Sequence, residues 1–103
     1  MTFNEFSEYM SENLTTKDSF YQKALEFQNE KNKKRPPAKR WKDTKLDRAV
    51  NAMWQDIMKT MYDKIKPSIK RDAPDLHQAW LDYFVKYNIL ESMDEALSEI
   101  EFD

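Results

Sequence analysis

Apolar residues recur at three- and four-residue intervals along most of the chain, a spacing that predicts helices. Phe3, Phe6, Met10 and Leu14 fall on one face of a helix over about 3–13. Thr2 stands at its N-cap with Glu5 three residues on, the pattern of a capping box. Leu14-Thr15-Thr16 reads as a turn. Phe20, Tyr21, Ala24, Leu25 and Gln28 make a narrow stripe over about 18–33, with Phe27 to one side and Thr16 or Asp18 as the cap. Pro36-Pro37 stops that helix, and Arg35 is pushed out of α conformation by the proline after it.

The strongest pattern spans about 44–66. Leu46, Val50, Met53, Trp54, Ile57, Met58, Met61 and Ile65 share one broad apolar face, Thr44 is the expected N-cap, and Pro67 ends the segment. A fourth helix is expected over about 74–87, with Pro74 in its first turn and Leu76, Ala79, Trp80, Tyr83, Phe84 and Tyr87 facing inward. Asn88 suits the left-handed conformation that usually falls to glycine. A fifth is expected over about 92–101, with Ser92 and Glu95 as a capping box and Met93, Ala96, Leu97 and Ile100 as its apolar face.

No strand-like alternation of convincing length and no internal repeat is present. The pattern predicts an all-α fold, a compact single-domain bundle of four to five helices around a long central one. The connections are tight except for a basic, proline-containing connector at about 34–43. The length of 103 residues fits one domain, and 40% apolar content with three Trp, six Phe and six Met fits one modest core. The Met residues read as core filler. Trp54 and Met58 would form an exposed partner patch if the fifth helix left them uncovered.

Two absences narrow the function. Without cysteine there are no disulfides, thiolate metal sites or cysteine nucleophiles. Without glycine there is no P-loop, dinucleotide fingerprint or kinase-type loop, because each needs close backbone approach or positive φ. No apolar run approaches a membrane span, and the acidic start MTFNEFSEYMSEN lacks the apolar run of a signal peptide. The expectation is a cytoplasmic protein without a membrane partner.

Charge is unevenly distributed. Residues 31–48 hold nine of the seventeen Lys and Arg and two acids, Asp43 and Asp47. This segment nets about +7, between stretches of about −4 and −5, so the overall −2 conceals a basic block. Lys31, Lys33, Lys34 and Arg35 complement the negative end of the second helix. Lys39, Arg40, Lys42, Lys45 and Arg48 do the opposite. They precede or open the long helix, at the positive end of its dipole, with Asp43 and Asp47 relieving part of the repulsion. A local rule broken in a cluster marks a functional candidate. Lys45, Arg48, Gln55, Lys59 and Lys66 project as a cationic ridge opposite the apolar face, and Trp41 lies among the cations as a candidate stacking group or a lid on the core. RPPAKRW also resembles a proline-rich docking segment.

Other chemistry is sparse. His77 is the single histidine and lacks a second ligand at metal spacing, Asp72 and Asp75 read as helix caps, and no carboxylate pair stands out as a general acid and base. No enzyme, metal or cofactor is expected. About ten residues separate the second and third helices, too many for a helix-turn-helix.

Two functions follow as expectations. The first is a small accessory protein contacting nucleic acid through Lys33, Lys34, Arg35, Lys39, Arg40, Trp41, Lys42, Lys45, Arg48 and Lys59, as a partner subunit of a larger DNA- or RNA-processing protein. Few groups are placed to read base edges, so sequence specificity is not expected. The second is an adaptor or inhibitor of the plasmid- or phage-borne type. It would engage a larger protein partner through acidic helical surfaces that include Glu91, Glu95, Glu99 and Glu101.

Overall fold

The computed structural model describes residues 1–102. Five α-helices follow in order: α1 (Phe3–Asn13), α2 (Lys17–Lys33), α3 (Asp43–Ile65), α4 (Leu76–Lys86) and α5 (Ile89–Ser98). Short 3₁₀ turns occupy Pro37–Lys39 and Lys66–Ser68, and no described residue forms a strand. The all-α bundle with a long central helix is therefore as the pattern predicts.

The core is built along α3. Leu46, Val50, Trp54, Met58, Tyr62 and Ile65 are its buried positions, a row at intervals of four and then three residues. Met53, Ile57 and Met61, expected at the same depth, flank that row half-buried, and Tyr62 continues it in their place. Trp54 and Met58 are fully buried, so they form no exposed patch. The Trp54 indole N–H has no acceptor among the described residues, and the Lys17 ammonium lies 5.7 Å from its ring centroid.

α1 runs antiparallel to the C-terminal half of α3. Ser7 Oγ donates to Gln55 Oε1 at 3.2 Å, and the Tyr62 hydroxyl donates to the Met1 carbonyl at 2.7 Å. Phe6 packs edge-on against Tyr62 and Trp80, and Tyr62 stacks on Trp80 with centroids 5.0 Å apart. The expected capping box at Thr2 and Glu5 is present, and the Thr2 backbone N–H holds the Glu5 carboxyl below its ordinary range. α2 pairs with the N-terminal half of α3, with Phe20 against Trp54 and the Tyr21 hydroxyl donating to Asn51 Oδ1 at 2.8 Å.

Several local expectations need correction. Thr44 is not the N-cap of α3; the helix begins one residue earlier, behind Lys42, with Asp43 supplying the acid of the first turn. Pro74 lies before α4, whose cap is Asp75, accepting from the Gln78 N–H at 3.1 Å. Leu76 and Tyr87, expected to face inward, are 46% and 52% exposed at the first residue and the C-cap of α4, where the helix ends open to solvent. α5 starts at Ile89, not near residue 92, and ends at Ser98. Asn88 takes φ 49°, ψ 45°, which ends α4 and starts α5 in one step. Ser92 then donates to the Asn88 carbonyl inside the helix, so the expected Ser92–Glu95 capping box has no helix end to cap. Ala96 is exposed, and Ile100 lies past the helix in a tail whose Phe102 packs on Phe20 and Phe27.

α5 is fastened by one carboxylate. Asp94 accepts from the backbone N–H groups and the hydroxyls of both Thr15 and Thr16, at 2.7–3.2 Å. Thr16, the N-cap of α2, spends its hydroxyl on this contact and makes no side-chain cap of its own. Burial pulls the Asp94 carboxyl upward, but the hydrogen bonds from Thr16 and Thr15 outweigh it and hold the group below its usual 3.8.

A depressed folded pKa contributes stability above the unfolded value and loses it as the pH falls through the folded one. Asp94→Asn should therefore cost about 1–2 kcal/mol at neutral pH. In urea melts the gap between wild type and variant should close as the pH drops below 3.8. A gap that persists in acid would mean the charge is not what holds α5. At Asn88 the left-handed backbone should make Asn88→Ala cost about 1 kcal/mol while Asn88→Gly is tolerated, in the same melts.

Candidate nucleic-acid interface

α3 has 23 residues and α2 has 17, whereas the other three helices have 10 or 11. The short helices gather around the C-terminal part of α3 and the start of α2. The end of α2, the connector and the first turns of α3 therefore project as a two-helix arm. Leu46 is buried within this arm but stands outside the main hydrophobic cluster. The molecule measures 56 × 22 × 20 Å, and its radius of gyration is 16.5 Å against about 13 Å for a compact chain of this size.

The basic block forms the tip of the arm, and the connector there is hydrogen-bonded throughout. Asn32 accepts the Trp41 backbone N–H at 2.8 Å and donates to the Trp41 carbonyl at 3.0 Å, pairing with that residue as a strand neighbour would. Arg35 Nη1 donates to the same Asn32 oxygen at 3.1 Å. Arg40 reaches back to the carbonyls of Arg35 and Lys33, both at 3.2 Å, satisfying acceptors left open at the end of α2. Pro37–Lys39 is a 3₁₀ turn between extended residues Pro36 and Arg40, so the segment lacks the continuous extended backbone expected of a proline-rich ligand.

Trp41 is half-buried and is no lid, because it lies outside the main cluster. The Arg35 guanidinium sits 3.9 Å from its ring centroid and the Lys45 ammonium 4.6 Å. Each such contact contributes about 0.5–1 kcal/mol at an exposed site.

Around this indole, Lys39, Arg40, Lys42, Lys45 and Arg48 line one shallow groove together with Ala38, Thr44 and Ala49. No acid lines it. Asp43 and Asp47, expected to relieve the repulsion, line a different depression with Leu25, Asn29 and Leu46. Their placement follows from the helix: Lys42, Lys45 and Arg48 recur every three residues along one face, and the acids fall between them on another.

The other candidates stand apart. Lys33 pairs with Glu30 at 3.1 Å, the one ion pair among the described residues that involves the block. Lys34 lines a separate groove with Lys23, Glu26, Lys31 and Glu101. The expected ridge along α3 is interrupted, because Gln55 is half-buried against Ser7 of α1. Beyond it, Lys59 pairs with Asp63 at 3.2 Å and lies over Phe3 and Tyr62. The structure thus joins Lys39, Arg40, Trp41, Lys42, Lys45 and Arg48 with Arg35 beneath, and leaves Lys33, Lys34 and Lys59 out.

Glu91, Glu95 and Glu99 are exposed at four-residue spacing along α5 and its C-cap, and Glu101 follows in the tail. His77 is exposed, with Nδ1 3.7 Å from Glu5 Oε2. Among the described residues no group of three or more His, Asp or Glu side chains is placed to hold a metal ion, and no helix is long and apolar enough to cross a membrane.

Asn32 was missed from sequence. Its one visible signal was position, an Asn in the last turn of a helix that a double proline was due to end. No family model, no curated protein and no solved structure matches this chain, so its local chemistry carries the functional reading.

Proposed function

We propose that this protein is a small non-enzymatic accessory that contacts nucleic acid through the tip of the α2–α3 arm, as the partner subunit of a larger DNA- or RNA-processing protein. One observation carries the proposal: five cations share a groove that no acid lines. Arg40 and Lys45 make contacts within the tip, but Lys39, Lys42 and Arg48 have no partner among the described residues that would account for their place there. Two of the five, Lys45 and Arg48, stand in the first turns of α3, where the dipole opposes them, and the acids close in sequence face elsewhere. A polyanion supplies the missing counter-charge. The tip offers no carboxylate, imidazole or thiol in the groove, so chemistry is left to the larger partner.

The area is small, and this fits an accessory role. Five phosphate contacts on a duplex correspond to a salt slope of about −4 to −5, typical of modest binding at physiological salt.

Lys39, Lys42 and Arg48 are exposed and make no side-chain hydrogen bond among the described residues, so their loss should leave the fold intact. In fluorescence anisotropy with labelled nucleic acid, the wild type should bind at about 50 mM salt and weaken steeply by about 200 mM. The triple variant Lys39→Ala, Lys42→Ala, Arg48→Ala should lower the salt slope by about 2–3 with unchanged thermal unfolding. Absence of wild-type binding at the lower salt would refute the proposal.

The spacing of Glu91, Glu95 and Glu99 favours a second surface, for a basic protein partner. Reversing Glu95 and Glu99 to Lys should abolish co-purification with such a partner and leave anisotropy binding to nucleic acid intact or tighter. Loss of both together would indicate misfolding and remove support for a separate surface.

A further inference from the structure

We infer that the tip grips the phosphodiester backbone of a double helix, and that it neither stacks on the bases of a single strand nor reads base edges. This rests on the nucleic-acid reading above and specifies its ligand.

The inference comes from which groups at the tip are already committed. Base-edge readout relies chiefly on Arg, Asn and Gln bonding bidentately, and Arg48 is the one such side chain at the tip that is left free. Asn32 spends both atoms of its amide on Trp41 and also holds Arg35. The Arg35 guanidinium lies over the indole at 3.9 Å. Arg40 points Nε and Nη2 at backbone carbonyls of α2 and its end. Single-strand binders rely on open aromatic faces. The one aromatic side chain in the groove is Trp41, and Arg35 and Lys45 already lie over its ring.

The uncommitted groups are Lys39, Lys42 and Arg48, joined by the Lys45 ammonium. Lysine is a point charge that suits a phosphate oxygen and discriminates little else. Lys42, Lys45 and Arg48 step along one face of α3 at about 4.5 Å intervals, a row about 9 Å long. A row of that length follows two or three successive phosphates of one strand. Backbone-only contact favours a duplex for electrostatic reasons. Duplex DNA carries twice the axial charge density of either of its strands, and each contact releases more counterion. The internal bonds also fix the groove before any ligand arrives, so a regular, stiff backbone fits it better than a coil.

Trp41 is then a positioning residue. Its ring seats Arg35 and Lys45, and its backbone ties the connector to α2.

The test is anisotropy at about 50 mM salt on a short DNA duplex and the matching RNA duplex, on each of their strands alone, and on a second DNA duplex of unrelated sequence. The expected result is that at least one duplex form binds about threefold or more tightly than its own single strands. The two DNA duplexes should agree within about twofold. A single strand that binds as tightly as its duplex, or a strong preference between the two DNA sequences, would overturn the inference while leaving the nucleic-acid reading standing. No binding to any of these probes would instead remove that reading itself.

Discussion

The structure is governed by a mismatch of helix lengths. α3 runs about 34 Å, whereas α1, α4 and α5 run only about 15–17 Å each. Three short helices gathered at one end cannot cover the whole of a long one. The uncovered half of α3 needs an antiparallel partner of its own, and α2 provides it. Everything distinctive about the molecule follows: the elongated shape, the aromatic core at one end around Trp54, Tyr62 and Trp80, and a polar arm at the other.

The antiparallel pairing also brings opposite dipole ends together at the tip. The C-terminus of α2 welcomes cations and the N-terminus of α3 repels them. The chain places cations at both. Around α2 they are partly answered, by Glu30 on Lys33 and by the carbonyls that Arg40 caps. Around α3 they are concentrated on one face, with Asp43 and Asp47 turned to another. The connector resolves the strain of so many like charges through geometry. Asn32 anchors the backbone, and Trp41 holds two cations over its ring.

Much of the fold was legible in the sequence because helical periodicity is a local property. The long α3 is within a residue of its expected span at each end, and the Thr2–Glu5 box is where the pattern put it. Failures came where a distant residue decided the outcome. Thr16 does stand at the N-cap of α2, but nothing local revealed that Asp94, 78 residues away, would claim its hydroxyl. The start of α5 was misplaced because Asn88 could serve two helices at once. At the candidate site, the charge step was plain from composition. The partition of Lys45 from Asp47 follows from helical spacing, but the interruption of the ridge at Gln55 depended on where α1 lies, and no one-dimensional pattern contains that.

The isolation of the tip from the main hydrophobic cluster bears on how such a chain diverges. Selection on a binding surface is usually constrained by stability, because residues that touch a ligand also touch the core. Here the exposed cations rest on a hairpin that contributes one buried apolar side chain of its own, Leu46. Their number, spacing and sign can drift while Trp54, Met58 and Phe6 stay fixed. Related chains would therefore be expected to keep the aromatic core pattern and to differ most between residues 33 and 48, each tuned to its own partner on a common frame.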